Sequence, residues 1–434
     1  MKKAASFALG CKVNQYESEA IAELFAEKGY EIVGVEDKAD VYIINTCTVT
    51  NFGDKKSRQL IRKVKRQNEN AIVAVVGCYA QTAPKELMAL EGVNLVIGTK
   101  DRGQIVEMVE EYDPSQGVCS FVSDIMTERV FEPLSIQKLA NRTRAYLKIQ
   151  DGCSQYCSYC IIPYARGPIR SREPEDVLAE VRRLAENGFK EIVLTGIHIA
   201  SYGKDRTDTN LLSILRQVHE VAGVERIRFS SIEPNVVTEV FAQTMAELPK
   251  VCDHFHLSLQ SGCDHTLKEM NRRYTTQSYA DAVRLLRKYL PNVALTTDII
   301  VGFPGESEAD FKACYAFAQE IAFSKIHVFP YSPKRGTPAA ERKDQILNAV
   351  KSERSHALLA LSKEQADAFI EARVGQVFDV LYEKEIQPGI YEGCTTNYMR
   401  VYGKSPRPLS NEIVPTRIDR SEGEIAWGEV LCGN

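Results

Sequence analysis

Three closely spaced cysteines carry the strongest chemical signal in the sequence. Cys153, Cys157 and Cys160 follow an apolar segment and a glycine, with the spacing Cys-x3-Cys-x2-Cys. In a chain with 12 cysteines among 434 residues, this spacing is expected by chance roughly 0.01 times. Three thiolates suit an iron-sulfur cluster with one open iron, whereas structural zinc takes four tetrahedral ligands. An iron-sulfur site is therefore favoured, and zinc or a disulfide framework remain alternatives.

Three further cysteines each follow an apolar run in the first part of the chain. They are Cys11, Cys47 and Cys78. Parallel strands end at one edge of a sheet, so these thiols are expected to meet there. A single cysteine in such a place is usually a small buried hydrophobic residue. Three at equivalent strand ends predict a second three-thiol site.

Composition limits the classes of protein that remain. The chain has 44% hydrophobic and 26% charged residues and a net charge of -4, which is the ordinary composition of soluble globular domains. Its length predicts two or three such domains. It has no apolar run long enough to span a membrane, and we expect a cytosolic protein without a membrane partner. Clustered cysteines in a long chain favour metal binding in a reducing compartment. Any nucleic-acid binding must come from local cations.

Residues 1–120 alternate short apolar runs with helical patterns. The apolar runs lie at 4–9, 41–45, 72–76 and 95–97. This alternation is typical of a mostly parallel α/β sheet. Residues 121–143 lack periodicity, and we interpret them as a linker.

A basic helix is predicted at 54–66, with Leu60, Ile61 and Val64 facing inward. Its cations are Lys55, Lys56, Arg58, Arg62, Lys63, Lys65 and Arg66. Such a face is usually only solvated. Its position just after Cys47 in an acidic chain also favours contact with RNA phosphates.

The segment 144–373 repeats a strand and a helix six times, with a long trailing helix from 344. The predicted strands are 145–149, 191–195, 226–230, 254–259, 293–301 and 325–329. Six such units predict an open partial barrel, with its site at the carboxyl ends of the strands. Candidate ligand contacts there are Gly196, Ser231, Glu233, Gln260 and Asp298. Each of them alone is also an ordinary loop residue.

Residues 374–434 contain five short β runs separated by turn residues. This pattern predicts a small five-stranded barrel, a kind of module that often binds looped RNA. The candidate RNA contacts are Tyr391, Tyr398, Arg400, Tyr402 and Arg407. A capping module without a ligand is the alternative.

The cysteine loop resembles the signature of the radical S-adenosylmethionine (SAM) superfamily, Cys-x3-Cys-x-aromatic-Cys, with Tyr159 as the aromatic residue. The resemblance implies a [4Fe-4S] cluster whose open iron binds the amino and carboxylate groups of SAM. It also implies reductive cleavage of SAM to methionine and a 5′-deoxyadenosyl radical. Tyr159 would then lie beside the adenine, and the polar strand-end residues would contact the rest of SAM. Packing of Tyr159 against the loop is the simpler alternative.

The whole chain resembles the radical SAM methylthiotransferases. That family combines an N-terminal methylthiotransferase domain, a radical SAM barrel and a C-terminal TRAM domain. The resemblance implies that Cys11, Cys47 and Cys78 hold an auxiliary [4Fe-4S] cluster that supplies the inserted sulfur. Segments 9–17 and 151–168 are most similar to the branch that modifies N6-threonylcarbamoyladenosine at position 37 of tRNA.

The resemblance also implies partners. They are the anticodon stem-loop of tRNA and an electron donor such as flavodoxin or ferredoxin. Three alternatives remain open: the isopentenyladenosine tRNA branch, the branch acting on an aspartate of a ribosomal protein, and a non-enzymatic iron-sulfur or zinc protein that binds RNA.

Overall fold

The computed structural model describes residues 1–49, 51–136 and 143–431. These residues form a parallel α/β domain, a partial barrel and a small closed β-barrel, in that order along the chain. The fold class predicted from the sequence is confirmed. Part of the predicted linker, residues 137–142, lies outside the described residues.

The N-terminal domain is built on one parallel sheet. Its strands are β1 (Lys3–Ala8), β2 (Glu31–Ile32), β3 (Val41–Thr46), β4 (Ile72–Gly77), β5 (Leu95–Ile97) and β6 (Cys119–Phe121). They lie in the order β2-β1-β3-β4-β5-β6, and each pairs in parallel with its neighbour. No strand was predicted at the position of β6, because the sequence is irregular there. Three residues are too few to show a strand pattern, but backbone pairing with β5 holds β6 in an extended conformation.

Five helices accompany this sheet. They are α1 (Lys12–Glu27), α2 (Asn51–Gln67), α3 (Cys78–Thr82), α4 (Pro84–Met88) and α5 (Ile105–Glu110). Helix α2 buries Ile61 and Val64 as predicted, while Leu60 is only half-buried. The apolar stripe at helical spacing thus fixes which side of α2 faces solvent.

The central domain is an open barrel with an added short strand. Its strands are β7 (Arg144–Asp151), β8 (Arg170–Ser171), β9 (Glu191–Gly196), β10 (Arg226–Phe229), β11 (His254–His256), β12 (Ala294–Val301) and β13 (Lys325–Pro330). Strands β7, β9 and β10 are parallel, as are β11, β12 and β13. Single parallel bridges, such as Ile232 to Leu257, join the two groups. All six predicted barrel strands are present.

Eight helices belong to this domain. They are α6 (Ile162–Arg166), α7 (Pro174–Glu186), α8 (Leu211–His219), α9 (Glu239–Glu247), α10 (Asp264–Glu269), α11 (Thr276–Tyr289), α12 (Glu308–Ile321) and α13 (Asn348–Glu371). The sequence pattern missed α6 and α10, which are too short for an apolar stripe to repeat. Helix α13 is the trailing helix, and it packs on β13.

The C-terminal strands close into a barrel. They are β14 (Val377–Gln387), β15 (Ile390–Thr395), β16 (Arg400–Lys404), β17 (Glu412–Glu422) and β18 (Ile425–Val430). The order around the barrel is β14-β15-β16-β18-β17. Tyr391 is buried in the core of this barrel. The prediction that it is available to stack on RNA is therefore wrong.

The N-terminal and central domains share a core. Tyr16 and Ala20 of α1 belong to the same apolar cluster as the barrel. The Tyr16 hydroxyl donates to the carbonyl of Leu134 at 2.6 Å. Leu134 and Ile136 are also in this core, so the described part of the predicted linker is packed against the barrel.

A buried ionic cluster crosses the same boundary. Glu17 of α1 accepts from Lys148 Nζ at 2.8 Å and from Arg166 Nη1 at 2.5 Å, and it pairs with Arg102 at 2.6 Å. Burial opposes the charge of Glu17, yet Arg102 and Arg166 hold its pKa well below the ordinary value. Asp151 adds a second carboxylate to these cations.

We expect Glu17→Gln to destabilise the protein strongly. The change removes an anion that three buried cations share, and leaving such charges uncompensated costs about 3–5 kcal/mol. Unfolding in urea measures the loss. Glu36→Gln is the control, because Glu36 pairs with Lys63 at an exposed site and should change stability little. Equal effects of the two substitutions would contradict the importance of the cluster.

Candidate functional site

The three-cysteine loop begins where β7 ends and continues into α6. Gly152 forms the hinge with φ of +73°, and a Cβ there would overlap the carbonyl oxygen of Pro168. The loop is closed by the amide of Cys153, which donates to the carbonyl of Gly167 at 3.0 Å. The apolar strand thus delivers the thiols to the carboxyl end of the barrel, as predicted.

Burial strongly disfavours the thiolate forms in this loop. It raises the pKa of Cys153 to about 11 and that of Cys160 to about 12. The third thiol has a cationic donor, because Arg272 Nη1 lies 3.1 Å from Cys157 Sγ. Thiolates are stable at neutral pH in such a place only with a bound cation, so metal binding would release protons.

The second set of thiols lies at one edge of the N-terminal sheet, as predicted. Cys11 caps α1, Cys47 follows β3 and Cys78 begins α3, and strands β1, β3 and β4 are adjacent and parallel. The backbone next to Cys11 lies close to Cys47, because a Cβ at Gly10 would lie 2.6 Å from Cys47 Sγ. Burial and the charge of Cys78 raise the pKa of Cys47 to about 12.

A second arginine, Arg166, donates a hydrogen bond to this set of thiols. Arg166 Nε donates to Cys78 Sγ at 3.1 Å, and its Nη2 donates to Asn14 Oδ1 at 2.6 Å. Sequence reasoning missed both arginines. Arg166 lies inside the segment 151–168 that carries the family resemblance, so a signal existed. Arg272 and Arg273 are adjacent, and only the fold decides which one turns inward.

Each set offers three cysteine thiols, the ligands that iron-sulfur clusters take. Within the described ranges, no three His, Cys, Asp or Glu side chains converge closely enough to hold one metal ion. A four-iron cluster binds each cysteine through a different iron, so its ligands are separated by the width of the cluster. Two sets of three thiols at strand ends suit that arrangement.

A cavity of about 970 Å³ is lined by Cys11 of the N-terminal set of thiols and by Cys153, Cys157 and Cys160 of the other set. Arg400 contributes from the C-terminal barrel, so all three domains border the cavity. The volume is at the upper end of those usual for small-molecule sites.

The residues predicted to contact SAM also line this cavity. They are Tyr159, Gly196, Ser231, Glu233, Gln260 and Asp298. Their contact with SAM stays a prediction. One buried polar atom in the wall supports a ligand there: Ser230 Oγ has no hydrogen-bond partner in the part of the chain that the structure describes.

Two histidines that the sequence did not single out engage the predicted carboxylates. Glu233 lies 3.0 Å from His198 Nε2 and 2.8 Å from Arg272 Nη2, and Asp298 lies 3.1 Å from His256 Nε2. Burial opposes ionisation of Glu233, but His198 and Arg272 hold its pKa below the ordinary value. The two carboxylates therefore orient the side chains of His198, His256 and Arg272 in addition to any contact with a ligand.

Gln260 occupies a strained position in the cavity wall. Its φ is +67°, which costs a residue with a side chain about 1–2 kcal/mol. Its amide donates to the carbonyl of Asp298 at 2.8 Å, and its carbonyl accepts from Ile300 at 2.9 Å. Strain of this kind is often found at functional sites.

Helix α2 begins beside the cavity and presents only some of its cations to solvent. The exposed ones are Lys55, Lys56, Arg62 and Arg66. Arg58 donates to Tyr79 at 2.9 Å, Lys65 donates to the carbonyl of Ala71 at 3.1 Å, and Lys63 pairs with Glu36. The candidate RNA surface on α2 is therefore narrower than its sequence suggests.

Tyr398 joins the C-terminal barrel to the central domain. Its hydroxyl accepts from Arg144 Nη1 at 3.0 Å. The Arg228 guanidinium lies 4.4 Å from its ring centroid, and the His254 ring lies 4.8 Å away. Stacking of Tyr398 on RNA stays a prediction, since its observed contacts are between domains. Arg400 is exposed beside the cavity.

Comparison with known proteins identifies the family. Residues 147–318 match the radical SAM superfamily, and residues 3–98 match uncharacterized protein family UPF0004. The threonylcarbamoyladenosine tRNA methylthiotransferase MtaB of Bacillus subtilis is 46% identical over 423 residues, covering 96% of this chain and 94% of that protein. The chain belongs to the radical SAM methylthiotransferase family. The family predicted from the sequence is confirmed.

Other relatives include a second branch. MtaB of Aquifex aeolicus is 39% identical over 88% of this chain and 93% of its own. The tRNA-2-methylthio-N(6)-dimethylallyladenosine synthase of Pelotomaculum thermopropionicum is 35% identical over 96% of this chain and 95% of its own.

Among solved structures, the radical SAM methyltransferase TsrM of Kitasatospora setae has a similar fold. With tryptophan and a SAM analogue bound, it matches with a TM-score of 0.57 at 16% identity, covering 78% of this chain and 75% of TsrM. As for membranes, none of the described helices combines the length and apolarity needed for a crossing.

We expect Gly152→Ala to remove about half of the bound iron from the reconstituted protein. The added Cβ strikes backbone at the hinge, so Cys153 cannot reach its place in the loop. Gly188→Ala is a matched control, because Gly188 also has positive φ, +87°, but open space around its Cβ position. The control should keep its iron and lose about 1–2 kcal/mol of stability. Full iron content in Gly152→Ala would refute the hinge assignment.

Proposed function

We propose that this chain adds a methylthio group to C2 of N6-threonylcarbamoyladenosine at position 37 of tRNA. The observation that carries the proposal is the cavity lined by Cys11 of one set of thiols and by all three cysteines of the other. A reaction that removes hydrogen from carbon and then inserts sulfur needs both sources near one substrate atom. Two MtaB proteins, those of Bacillus subtilis and Aquifex aeolicus, are 46% and 39% identical to this chain, against 35% for the dimethylallyladenosine synthase of Pelotomaculum thermopropionicum, which supports the threonylcarbamoyl branch.

The two sets of cysteines would hold the two [4Fe-4S] clusters, with SAM on the cluster of Cys153, Cys157 and Cys160. When bound, these groups supply one-electron cleavage chemistry that removes hydrogen from an unactivated carbon, and sulfur for insertion. The protein's own side chains would position these groups. Arg272 and Arg166 each donate to one sulfur of a set, and such bonds orient a ligand and stabilise its negative charge.

The cavity walls keep the substrate base in a defined place. Glu233 is fixed by His198 and Arg272, and Asp298 by His256, so these polar groups need little reorganisation when a ligand binds. Tyr159, which lines the cavity, would pack against the adenine of SAM.

The anticodon stem-loop is the proposed part of tRNA that binds. In a chain of net charge -4, phosphate contacts must come from local cations, and the exposed cations of α2 would supply them. We place the reaction in the cytoplasm, with flavodoxin or ferredoxin as the electron donor.

Changing Cys153, Cys157 and Cys160 to alanine should leave about half of the iron and abolish SAM cleavage. Changing Cys11, Cys47 and Cys78 should spare uncoupled SAM cleavage but stop methylthio transfer. Iron analysis, methionine release and mass spectrometry of tRNA nucleosides measure these outcomes. Methylthio product from the second variant would mean that those three cysteines are structural. Cleavage without any modified tRNA in the wild type would favour the ribosomal-protein branch.

Changing Lys55, Arg62 and Arg66 to glutamate should weaken tRNA binding and flatten its salt dependence. Each lost phosphate contact reduces the slope of log affinity against log salt by roughly 0.7–0.9. Titration at several salt concentrations measures the slope, and tRNA-free SAM cleavage should persist. The control changes Arg284, Lys288 and Lys312, which are exposed on α11 and α12, in the same way. Equal slopes for the two variants would mean that α2 is only a solvated face.

A further inference from the structure

Lys12 places an unpaired positive charge in the cavity wall. It is the first residue of α1, lines the cavity and is half-buried. The centroid of the Tyr146 ring lies 5.9 Å from its Nζ. Among the described residues, no carboxylate lies within ion-pair distance of this ammonium group.

The charges around Lys12 do not balance it. Arg228 and Arg144 are close enough to oppose its charge, and Glu191 is the carboxylate that favours it. Glu191, however, already accepts from Arg228 Nε at 2.9 Å. Arg144 is likewise engaged, with Glu383 at 2.7 Å.

A half-buried cation without a partner is costly, and a bound anion offsets that cost. Lys12 and Arg144 line one cavity, and Arg144 is near enough to act on the charge of Lys12, so an oxyanion bound at Lys12 would be attracted by both cations. Glu191 and Glu383 are already paired with Arg228 and Arg144. They therefore repel such an anion less than unpaired carboxylates would. The wall therefore forms a site for one anionic group of a ligand in the cavity.

We propose that Lys12, flanked by Arg144, binds the carboxylate of the threonylcarbamoyl group. This inference rests on the proposed function. The threonylcarbamoyl group at N6 ends in a carboxylate, whereas a dimethylallyl group there is a hydrocarbon. A half-buried cation without a partner selects the first over the second, because the second leaves the charge unpaired. Lys12 is thereby a residue that determines substrate specificity.

The same chemistry would also bind an oxyanion of the RNA backbone. The two sources differ in what they require of the RNA. A carboxylate contact depends on the modification at position 37, while a phosphate contact is present in every RNA of that sequence. Binding of matched RNAs separates them.

The test uses holoprotein with both clusters and three anticodon stem-loop RNAs. One carries threonylcarbamoyladenosine, one carries its neutral methyl ester and one carries unmodified adenosine. We expect the wild type to bind the first RNA about tenfold more tightly than the other two, as befits one charged hydrogen bond. Lys12→Gln should remove this preference without changing affinity for the other two RNAs. Lys12→Arg should retain it.

Lys55→Gln is the control for a phosphate contact. It should lower affinity for all three RNAs by the same factor. If Lys12→Gln behaves in that way, Lys12 binds backbone phosphate and the inference is overturned. Iron content and the reduction potentials of both clusters are measured in parallel. A shifted potential with unchanged RNA preference would mean that Lys12 balances cluster charge instead.

Failure of this inference differs from failure of the proposed function. A wild type that methylthiolates threonylcarbamoyl RNA, yet binds its methyl ester equally well, overturns the role of Lys12 alone. A wild type that makes methylthio product only from dimethylallyladenosine RNA overturns both.

Discussion

The buried guanidinium of Arg166 is the interaction on which the two-domain site depends. It bonds Glu17 and Asn14 of the N-terminal domain, donates to Cys78 Sγ, and itself lies just after the cysteine loop of the central domain. A charge at this depth is tolerated only with partners on every side. The partners come from both domains, so one side chain fixes the orientation of each set of thiols relative to the other. The shared core around Tyr16 stabilises the same interface.

The two sets of thiols follow one physical plan. Burial raises the pKa of Cys11, Cys47, Cys153 and Cys160, and in each set one sulfur accepts an N–H from an arginine. The arginines partly balance the charge that a thiolate-bound cluster brings, and their fixed geometry orients one ligand of each set. Arg272 is additionally tied to Glu233, so the cluster loop and the wall of the cavity are positioned together.

Electrostatics also explain how an acidic protein handles an anionic substrate. The net charge of -4 gives no long-range attraction, and several cations of α2 are engaged by the protein itself. What remains is the set of exposed cations on α2 and, in the cavity wall, the unpaired ammonium of Lys12. In the proposed roles, the first would bind phosphate, which every RNA carries, and the second would bind an anion on the base. Affinity and specificity would then depend on different residues.

The sequence by itself determined the elements and the chemistry. Cysteine spacing marked Cys153 to Cys160, and strand and helix periodicities gave the parallel sheet, the six barrel strands and the terminal barrel, because these patterns are local. It failed where structure depends on distant partners. Strand β6 exists through pairing with β5, Tyr391 turned out to be core, and Arg272 was indistinguishable from Arg273. Only the tertiary structure decided which cations are paired and which, like Lys12, are not, since that depends on groups far apart in the chain.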